Sequence, residues 1–388
     1  MNILFLFEAP IIPAVGGVQR VTEILTKEFQ QSGHNVYYLA YAHKHMLNYD
    51  KFSTLQFFID STSLTKTQIE ISLSDIITDN NIEYVISQNL NNNYVLRLIP
   101  KGVKIVSVCH TQPFPIDNIT REHIQKINAR NLKEKCFKFL AICFPSLYRK
   151  YVELNEVRDT INAFNISDKV CYISSRFWLR VNKYVKKIPK SKFVAINNPN
   201  TFYPVSDIKT LEKDNLIIWV GRVNNENKNA IGFIKMWEIF HQNNPSWNAL
   251  IIGDGIDLET NRDYIKKNQI KNIELLGIQE DVSKYYSKAK FLAVTSWSES
   301  WCMAITEAMS FGCVPCVYGT YESLYDIIVD NESGIITEPS ERMMAERLQF
   351  YVDNENRREV MARNAVIRVN QFDASVIAGQ WMDMLKEL

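Results

Sequence analysis

The sequence predicts an α/β protein made of two doubly wound, parallel-sheet domains. Three observations carry that expectation. The chain has 388 residues, and a single hydrophobic core rarely grows past about 250–300 residues, so two domains are expected. Short apolar runs alternate with amphipathic stretches along the whole length, and a continuous apolar run marks a strand covered on both faces. The rhythm breaks at Asn197-Asn-Pro-Asn200 and Pro204 and then restarts, which places a seam at 197–205.

In the first half the expected strands are Ile3–Phe7, Asn35–Ala40, Tyr84–Ser87, Lys104–Cys109, Phe139–Ile142, Val170–Ile173 and Phe193–Ile196. Val18–Ser32 reads as a helix with Val21, Ile24, Leu25 and Phe29 on one face and Gly33 as its C-terminal stop. After the seam, strands are expected at Leu216–Val220, Asn248–Ile252, Ile273–Leu276, Phe291–Thr295, Val314–Val317 and Gly334–Ile336. The domains are therefore drawn at 1–199 and 200–371. The stretch 372–388 has Ile377, Trp381, Met384, Leu385 and Leu388 at helical spacing, and is expected to pack back on the first domain.

Composition narrows the class. Lys+Arg number 44 and Asp+Glu 43, the net charge is +1, and 46% of residues are hydrophobic, which is ordinary for a globular chain. A disordered tail, a collagen-like repeat and a disulfide-stapled miniprotein are excluded. The apolar start Met1–Phe7 stops at Glu8, is too short to span a membrane, and lacks the layout of a secretory signal. A cytoplasmic protein with reduced thiols is expected from seven cysteines without an export signal. Cys313-Val-Pro-Cys316 has redox spacing, but follows Gly312 in an apolar strand and reads as core packing. His43 and His45 have no neighbouring ligand set, so no metal site and no cofactor are expected.

Three constellations carry chemistry. Val15-Gly16-Gly17-Val18 lies at a strand-to-helix turn, where glycine allows close approach of a ligand and the helix N-terminus suits a phosphate; a tight turn needing positive φ is the structural alternative. The pattern Gly-x-Gly-x-x-Gly is absent after the first strand, and Gly253-Asp-Gly255 has Leu258 at the third position, so nicotinamide or flavin binding is disfavoured. The second constellation, after Leu216–Val220, is Gly221-Arg222 with Lys228: a planar fork of donors and a compact charge that together suit a diphosphate. The third is Ser296-Trp-Ser-Glu299-Ser-Trp-Cys302-Met303-Ala304-Ile-Thr-Glu307, after Phe291–Thr295. A helix beginning near Trp301 would leave the N–H groups of Cys302, Met303 and Ala304 free for a ligand. Glu299 in the loop is placed to hold sugar hydroxyls and Glu307, inside the helix, to hold a ribose.

Glu299 and Glu307 with seven residues between them, Arg222 and Lys228 upstream, and Gly16-Gly17 near the N-terminus resemble the retaining GT-B glycosyltransferases of family 4, over essentially the whole chain. The resemblance implies two Rossmann-like domains facing a central cleft, a nucleotide-sugar donor held mainly by the C-terminal domain, an acceptor held mainly by the N-terminal one, and no metal. By position it implies that Glu299 binds the donor sugar, Glu307 the ribose, Arg222 and Lys228 the leaving diphosphate, and Gly17 the phosphate–sugar linkage. It also implies that Gly277 and Ile278 meet the base, and that His110, in Val108-Cys-His-Thr-Gln-Pro113, is the active-site histidine. UDP is the expected nucleotide by its frequency in the family. The family's common Glu-Gly-Phe-Gly is Glu299-Ser-Trp-Cys302 here, which narrows the room beside the sugar.

The charge is divided unevenly. Residues 1–200 carry 25 Lys+Arg and 16 Asp+Glu; residues 201–388 carry 19 and 27. Segments 121–150 and 176–192 mix basic residues with aromatics and leucines, which suits an anionic membrane surface. The expected function is therefore transfer of a sugar from a nucleotide-sugar to a glycan or lipid-linked acceptor in lipopolysaccharide, capsule or other surface-polysaccharide assembly, by a cytoplasmic enzyme peripheral at the inner face of the plasma membrane. The competing readings are a non-hydrolysing nucleotide-sugar epimerase and a non-catalytic sugar-nucleotide or glycan-binding protein of the same fold. Nucleic-acid binding would rest on the basic half alone and is not expected.

Overall fold

The computed structural model describes residues 1–12, 16–42, 54–115, 132–208 and 211–388. The chain divides into two compact units, Met1–Asn197 with Ala378–Leu388, and Asn198–Ile377.

The first unit holds a parallel sheet of seven strands: β1 (Asn2–Phe7), β2 (Asn35–Ala40), β3 (Gln56–Phe58), β4 (Tyr84–Ser87), β5 (Lys104–Cys109), β6 (Lys169–Tyr172) and β7 (Phe193–Ala195), in the order β3-β2-β1-β4-β5-β6-β7. The chain winds outward from β1 to β3 and returns to β4 on the other side of β1. That reversal leaves a crevice at the carboxyl ends of β1 and β4, the place where open α/β sheets bind ligands. The helix Gly17–Gln31 buries Val21, Leu25 and Phe29 on the sheet, with Phe29 stacked on Phe5 at 6.2 Å between ring centroids. Thr26, also on the buried face, returns its hydroxyl to Thr22 O at 2.8 Å and accepts from Tyr38 OH at 2.9 Å, so no polar atom is stranded there. Gly33 follows the helix cap with φ +79°.

The second unit holds six parallel strands: β8 (Asp214–Val220), β9 (Asn248–Ile252), β10 (Ile273–Gly277), β11 (Ala289–Val294), β12 (Val314–Tyr318) and β13 (Ile335–Thr337), in the order β10-β9-β8-β11-β12-β13. Here the winding reverses between β8 and β11. Its core is aromatic: Trp237, Phe233 and Phe291 are fully buried, Trp247 stacks on Phe291 at 5.9 Å, and the Trp237 indole donates to Lys271 O at 2.9 Å. Cys313 and Cys316 are buried beside this core, and burial pushes the Cys313 thiol up to about 12. The last helix, Ala374–Lys386, buries Ile377, Trp381, Met384 and Leu385, and from Ala378 onward it groups with the first unit.

Two local expectations are corrected. Phe139–Ile142 is not a strand but part of the helix Leu132–Cys143; a four-residue apolar run has no period of its own and its helix-forming neighbours decide. The helix expected from Trp301 begins at Met303. β3 has only three residues, too few for a pattern, and is fixed by parallel pairing of Gln56 to Phe58 with Tyr38 to Ala40. Residues 43 and 45 lie outside the described residues, as do residues 121–131 of the first basic segment. Among the described residues, no helix is long and apolar enough to cross a membrane.

A Cβ at Gly33 would meet nothing within 4 Å, so the cost of Gly33→Ala is backbone strain alone. The variant is expected to be less stable by about 1 kcal/mol, read as a lowered midpoint of thermal unfolding. An unchanged midpoint would show that the left-handed turn is not held in solution.

Candidate functional site

In the second unit the site is built at the β8–β11 reversal. The turn after β8 is pressed against the turn after β9: a Cβ at Gly253 would lie 1.9 Å from Gly221 O, and one at Gly255 would lie 2.2 Å from Val223 O. Only glycine permits that approach, and Gly253 also has φ +134°. Gly221 N donates to Ile252 O at 3.0 Å and Val223 N to Asp254 O at 2.9 Å. The Arg222 backbone is thus held on both sides while its side chain is exposed. Gly253-Asp-Gly255, which fails as a dinucleotide motif, is the clamp of this turn; no sequence signal marked it as such.

Next comes an asparagine-rich turn. Asn224 Oδ1 accepts from the N–H groups of Glu226 and Asn227 at 2.8 and 3.1 Å. Asn229 adopts φ +52° and caps the helix Ala230–His241 by accepting from Gly232 N at 3.1 Å. Thr295 Oγ1 donates to Asn229 O at 2.7 Å and Trp297 N to Asn227 O at 2.9 Å, stitching this turn to the end of β11. Lys228 sits in the middle of that seam.

Lys228 Nζ donates to Glu299 Oε1 at 2.5 Å, and Ser296 Oγ donates to the same oxygen at 2.7 Å. Oε2 of Glu299 accepts no hydrogen bond among the described residues. One oxygen is therefore anchored and the other remains available to a ligand. Burial acts to lower the Lys228 pKa, but the Glu299 carboxylate, as neighbouring charge and hydrogen-bond partner, outweighs it and the pKa is raised. Arg222 is near enough to oppose that rise, so two cations and one carboxylate share the crevice.

Glu307 stands differently. It is 4% exposed; Oε1 accepts from Thr201 Oγ1 at 2.8 Å and Oε2 from Tyr286 OH at 2.9 Å. Glu307 is therefore set in a hydroxyl-lined interior position, not in the open beside Glu299. Thr201 and Tyr286 were not legible as its partners, being far apart in sequence.

The helix Met303–Ser310 starts at Cys302, which adopts φ +65° and gives no side-chain cap. The first-turn N–H groups, including those of Met303 and Ala304, have no intrahelical acceptor. A left-handed backbone costs a non-glycine residue about 1–2 kcal/mol, so the chain holds at Cys302 a conformation natural to glycine. Gly277, at the end of β10, has φ +68°; its carbonyl accepts from Gly253 N at 2.8 Å, and Ile278 beside it is 76% exposed.

In the first unit, Gly16 is extended (φ −175°) and Gly17 opens the helix with no positive φ. A Cβ at Gly17 would meet nothing within 4 Å, so the pair is not explained by turn geometry. His110 follows β5 at the carboxyl end of the sheet. Its Nε2–H donates to Gln88 Oε1 at 2.5 Å, which fixes the tautomer with the lone pair on Nδ1, and Nδ1 is buried without a partner among the described residues. Burial lowers its pKa to about 4. Nearby, buried Phe114 has φ +51°, its N–H donates to Glu156 Oε1, and its carbonyl accepts from Arg180 Nη1 at 3.1 Å. Sequence reasoning missed both Gln88 and Glu156. Among the described residues, no group of three His, Cys, Asp or Glu is placed to hold a metal ion.

Residues 206–368 match the family described as Glycosyl transferases group 1. That match falls within the second unit. The chain is 26% identical over 265 residues to a Campylobacter jejuni enzyme named as a diNAcBac-PP-undecaprenol-linked glycan α-1,4-N-acetyl-D-galactosaminyltransferase, covering 67% of this chain and 66% of that protein. It is 25% identical over 215 residues to the amylovoran biosynthesis glycosyltransferase AmsD of Erwinia amylovora, covering 55% of this chain and 58% of that one. The chain thus spans less than two thirds of the length of these curated relatives. Among solved structures, TarM matches with a TM-score of 0.75 at 12% identity over 99% of this chain and 98% of TarM. Anabaena HepE in complex with UDP and glucose matches with a TM-score of 0.72 at 15% identity over all of both chains. The two Rossmann-like parallel-sheet units are those of GT-B glycosyltransferases.

The depressed His110 pKa predicts a ring that stays neutral from pH 5 to 8. Its contribution to stability is present above the unfolded value of 6.5 and is lost as pH falls toward about 4, because the unfolded chain binds the proton first. Imidazole NMR resonances followed against pH check this; titration of the His110 ring near 6.5 would contradict it.

Proposed function

We propose that this protein is a retaining, family 4 glycosyltransferase that moves a hexose-type sugar from a UDP-sugar to a glycan or lipid-linked acceptor in surface-polysaccharide assembly. The observation that carries the reading is the grouping of Arg222, Lys228 and Glu299 at the β8–β11 reversal. As the bond from the anomeric carbon to the nucleotide breaks, negative charge collects on the diphosphate. Arg222 and Lys228 meet it with a planar fork and a point charge, in place of a metal ion. Glu299 presents its Oε2 to the hydroxyls of the departing sugar, while Lys228 and Ser296 hold Oε1 still. The N–H groups at Cys302, Met303 and Ala304 receive donor oxygens at a helix N-terminus. Glu307, oriented by Thr201 and Tyr286, is assigned to the ribose. Gly277 and Ile278 are assigned to the base, and Gly16 and Gly17, at the start of the first unit's helix Gly17–Gln31, to the phosphate–sugar linkage. His110, held neutral by burial at the carboxyl end of β5, is the first unit's candidate for the active-site histidine. UDP as the nucleotide is supported by the UDP in the HepE complex.

A lipid-linked acceptor is supported by the undecaprenol-linked substrate in the name of the Campylobacter relative, and by the surface of the first unit. Phe139, Leu140, Phe144 and Leu147 are each more than half exposed on the helices Leu132–Cys143 and Pro145–Ile166, beside Lys135, Lys138, Arg149 and Lys150. Such a surface fits the anionic inner leaflet of the plasma membrane, at about 1 kcal/mol per basic residue near the lipid. In the second segment, Phe177 is buried and Tyr184 stacks on Phe114 at 4.7 Å, while Leu179, 77% exposed, is open to lipid.

Nucleotide-sugar turnover tests the function. Arg222→Ala and Lys228→Ala are each expected to lower it by about 10²–10³. Gly17→Ala is expected to keep or raise stability, since alanine is the better helix former by about 1 kcal/mol, while lowering turnover. A wild-type protein that binds and turns over no nucleotide sugar would overturn the reading. In flotation with anionic vesicles the protein is expected to rise with lipid, and Phe139→Ser with Leu147→Ser to reduce that; equal flotation with neutral vesicles would remove the membrane from the proposal.

A further inference from the structure

The first unit contains a cavity of about 570 Å³ at the carboxyl ends of β1, β4 and β5. Its floor is Phe7, Gln88 and His110; its wall is one face of the helix Pro145–Ile166, where Val152, Asn155, Glu156, Asp159 and Thr160 recur at helical spacing. The charge of this lining is opposite to that of its surroundings. Residues 1–200 carry 25 basic and 16 acidic residues, yet the described lining contains the two carboxylates Glu156 and Asp159 and no lysine or arginine. The rest of its polar lining is neutral: the amides of Gln88, Asn89, Asn91, Gln112 and Asn155, the hydroxyls of Thr111 and Thr160, and the imidazole of His110.

We infer that this cavity receives the terminal sugar of the acceptor and that it selects an uncharged sugar over a uronic acid or a phosphorylated one. Carboxylates and amides in a recess suit neutral hydroxyl and acetamido groups, which both donate and accept. An anionic sugar would meet two carboxylates; the cations beside them, Arg158 on Asp159 at 3.3 Å and Arg180 near Glu156, lie outside the lining, so no cation faces the sugar there. The anionic part of a lipid-linked acceptor must then lie outside this cavity. Glu156 is a specificity-determining residue and a positioning residue too, since it holds Phe114 in its left-handed turn at the cavity rim. Arg180, from the helix Phe177–Tyr184, and the Phe114 N–H favour its charge, while Asp159 on its own helix disfavours it; burial is the largest influence and raises its pKa to about 7. Cys109 of β5 and Tyr172 of β6 also face it. Rejection of anions should therefore sharpen as the pH rises through neutrality.

The inference rests on the proposed function for the word acceptor, and its test does not require turnover. Full-length protein is titrated at pH 8 with matched pairs of methyl glycosides, the glucoside, galactoside and N-acetylhexosaminides against the corresponding uronates, by saturation-transfer NMR. Neutral glycosides are expected to bind, and their uronates to bind about tenfold or more weakly. The double variant Glu156→Gln, Asp159→Asn is isosteric and should shrink that ratio to within about threefold. An unchanged far-UV circular dichroism spectrum and thermal unfolding profile, together with retained binding of neutral glycosides, check that the first unit of the variant is folded, and each single variant reads the same ratio. Uronates binding as well as neutral glycosides, a ratio unmoved by the double variant, or no binding of any neutral glycoside would each overturn the inference. Nucleotide-sugar turnover measured alongside separates the two proposals: its absence counts against the proposed function, whereas turnover with an unmoved ratio counts against this inference alone.

Discussion

The contact on which the second unit's proposed site depends is the ion pair between Lys228 and Glu299. It joins the turn after β8 to the turn after β11, the two strands between which the winding of the sheet reverses. A parallel sheet leaves a crevice there because consecutive connections depart in opposite directions. The pair closes the bottom of that crevice without filling it, since it uses one Glu299 oxygen and leaves the other. Glu299 is nearly buried, so removing Lys228 would leave an uncompensated buried charge, a change that is strongly destabilising in proteins. The same pair that organises the loop ends is therefore the one proposed to present charge to a nucleotide-sugar.

The surrounding backbone is built to keep those groups in place. Gly253 and Gly255 let two turns touch at distances no other residue allows, and Asn224, Asn225 and Asn229 satisfy the backbone of the intervening turn with their own side chains. Cys302 and Phe114 are the contrasting cases. Both are non-glycine residues at positive φ, and both lie beside groups assigned to chemistry. Such strain persists only where neighbours over-determine the conformation; at Phe114 the neighbours are Glu156, Arg180 and the stacked ring of Tyr184.

Much of the fold was legible because it is written in local pattern. β2, β4, β5 and β9 occupy the ranges expected from their apolar runs, since a strand buried on both faces leaves a continuous signal. Phe139–Ile142 misled because a short apolar run has no period, and β3 was invisible because three residues carry no pattern. For the candidate site, Arg222, Lys228 and Glu299 were legible as residue types at the ends of central strands. The hydrogen bond from Lys228 to Glu299 was not, because the two lie 71 positions apart in the chain. Nor were the two hydroxyls on Glu307, one of them 106 residues away, or the acidic lining of the first unit's cavity, which appears only when one face of the helix Pro145–Ile166 is set over the end of β5. Pattern along the chain reports elements; it does not report which side chains converge.

The central claim is that Lys228 and Glu299 act as one unit in holding a nucleotide-sugar. A double-mutant cycle with Lys228→Met and Glu299→Gln, read on donor turnover, tests it most directly. Either single change should lose most of the activity and the second should add little, giving a coupling of more than about 1 kcal/mol. Losses that simply add would contradict the claim and show that the two residues contribute independently.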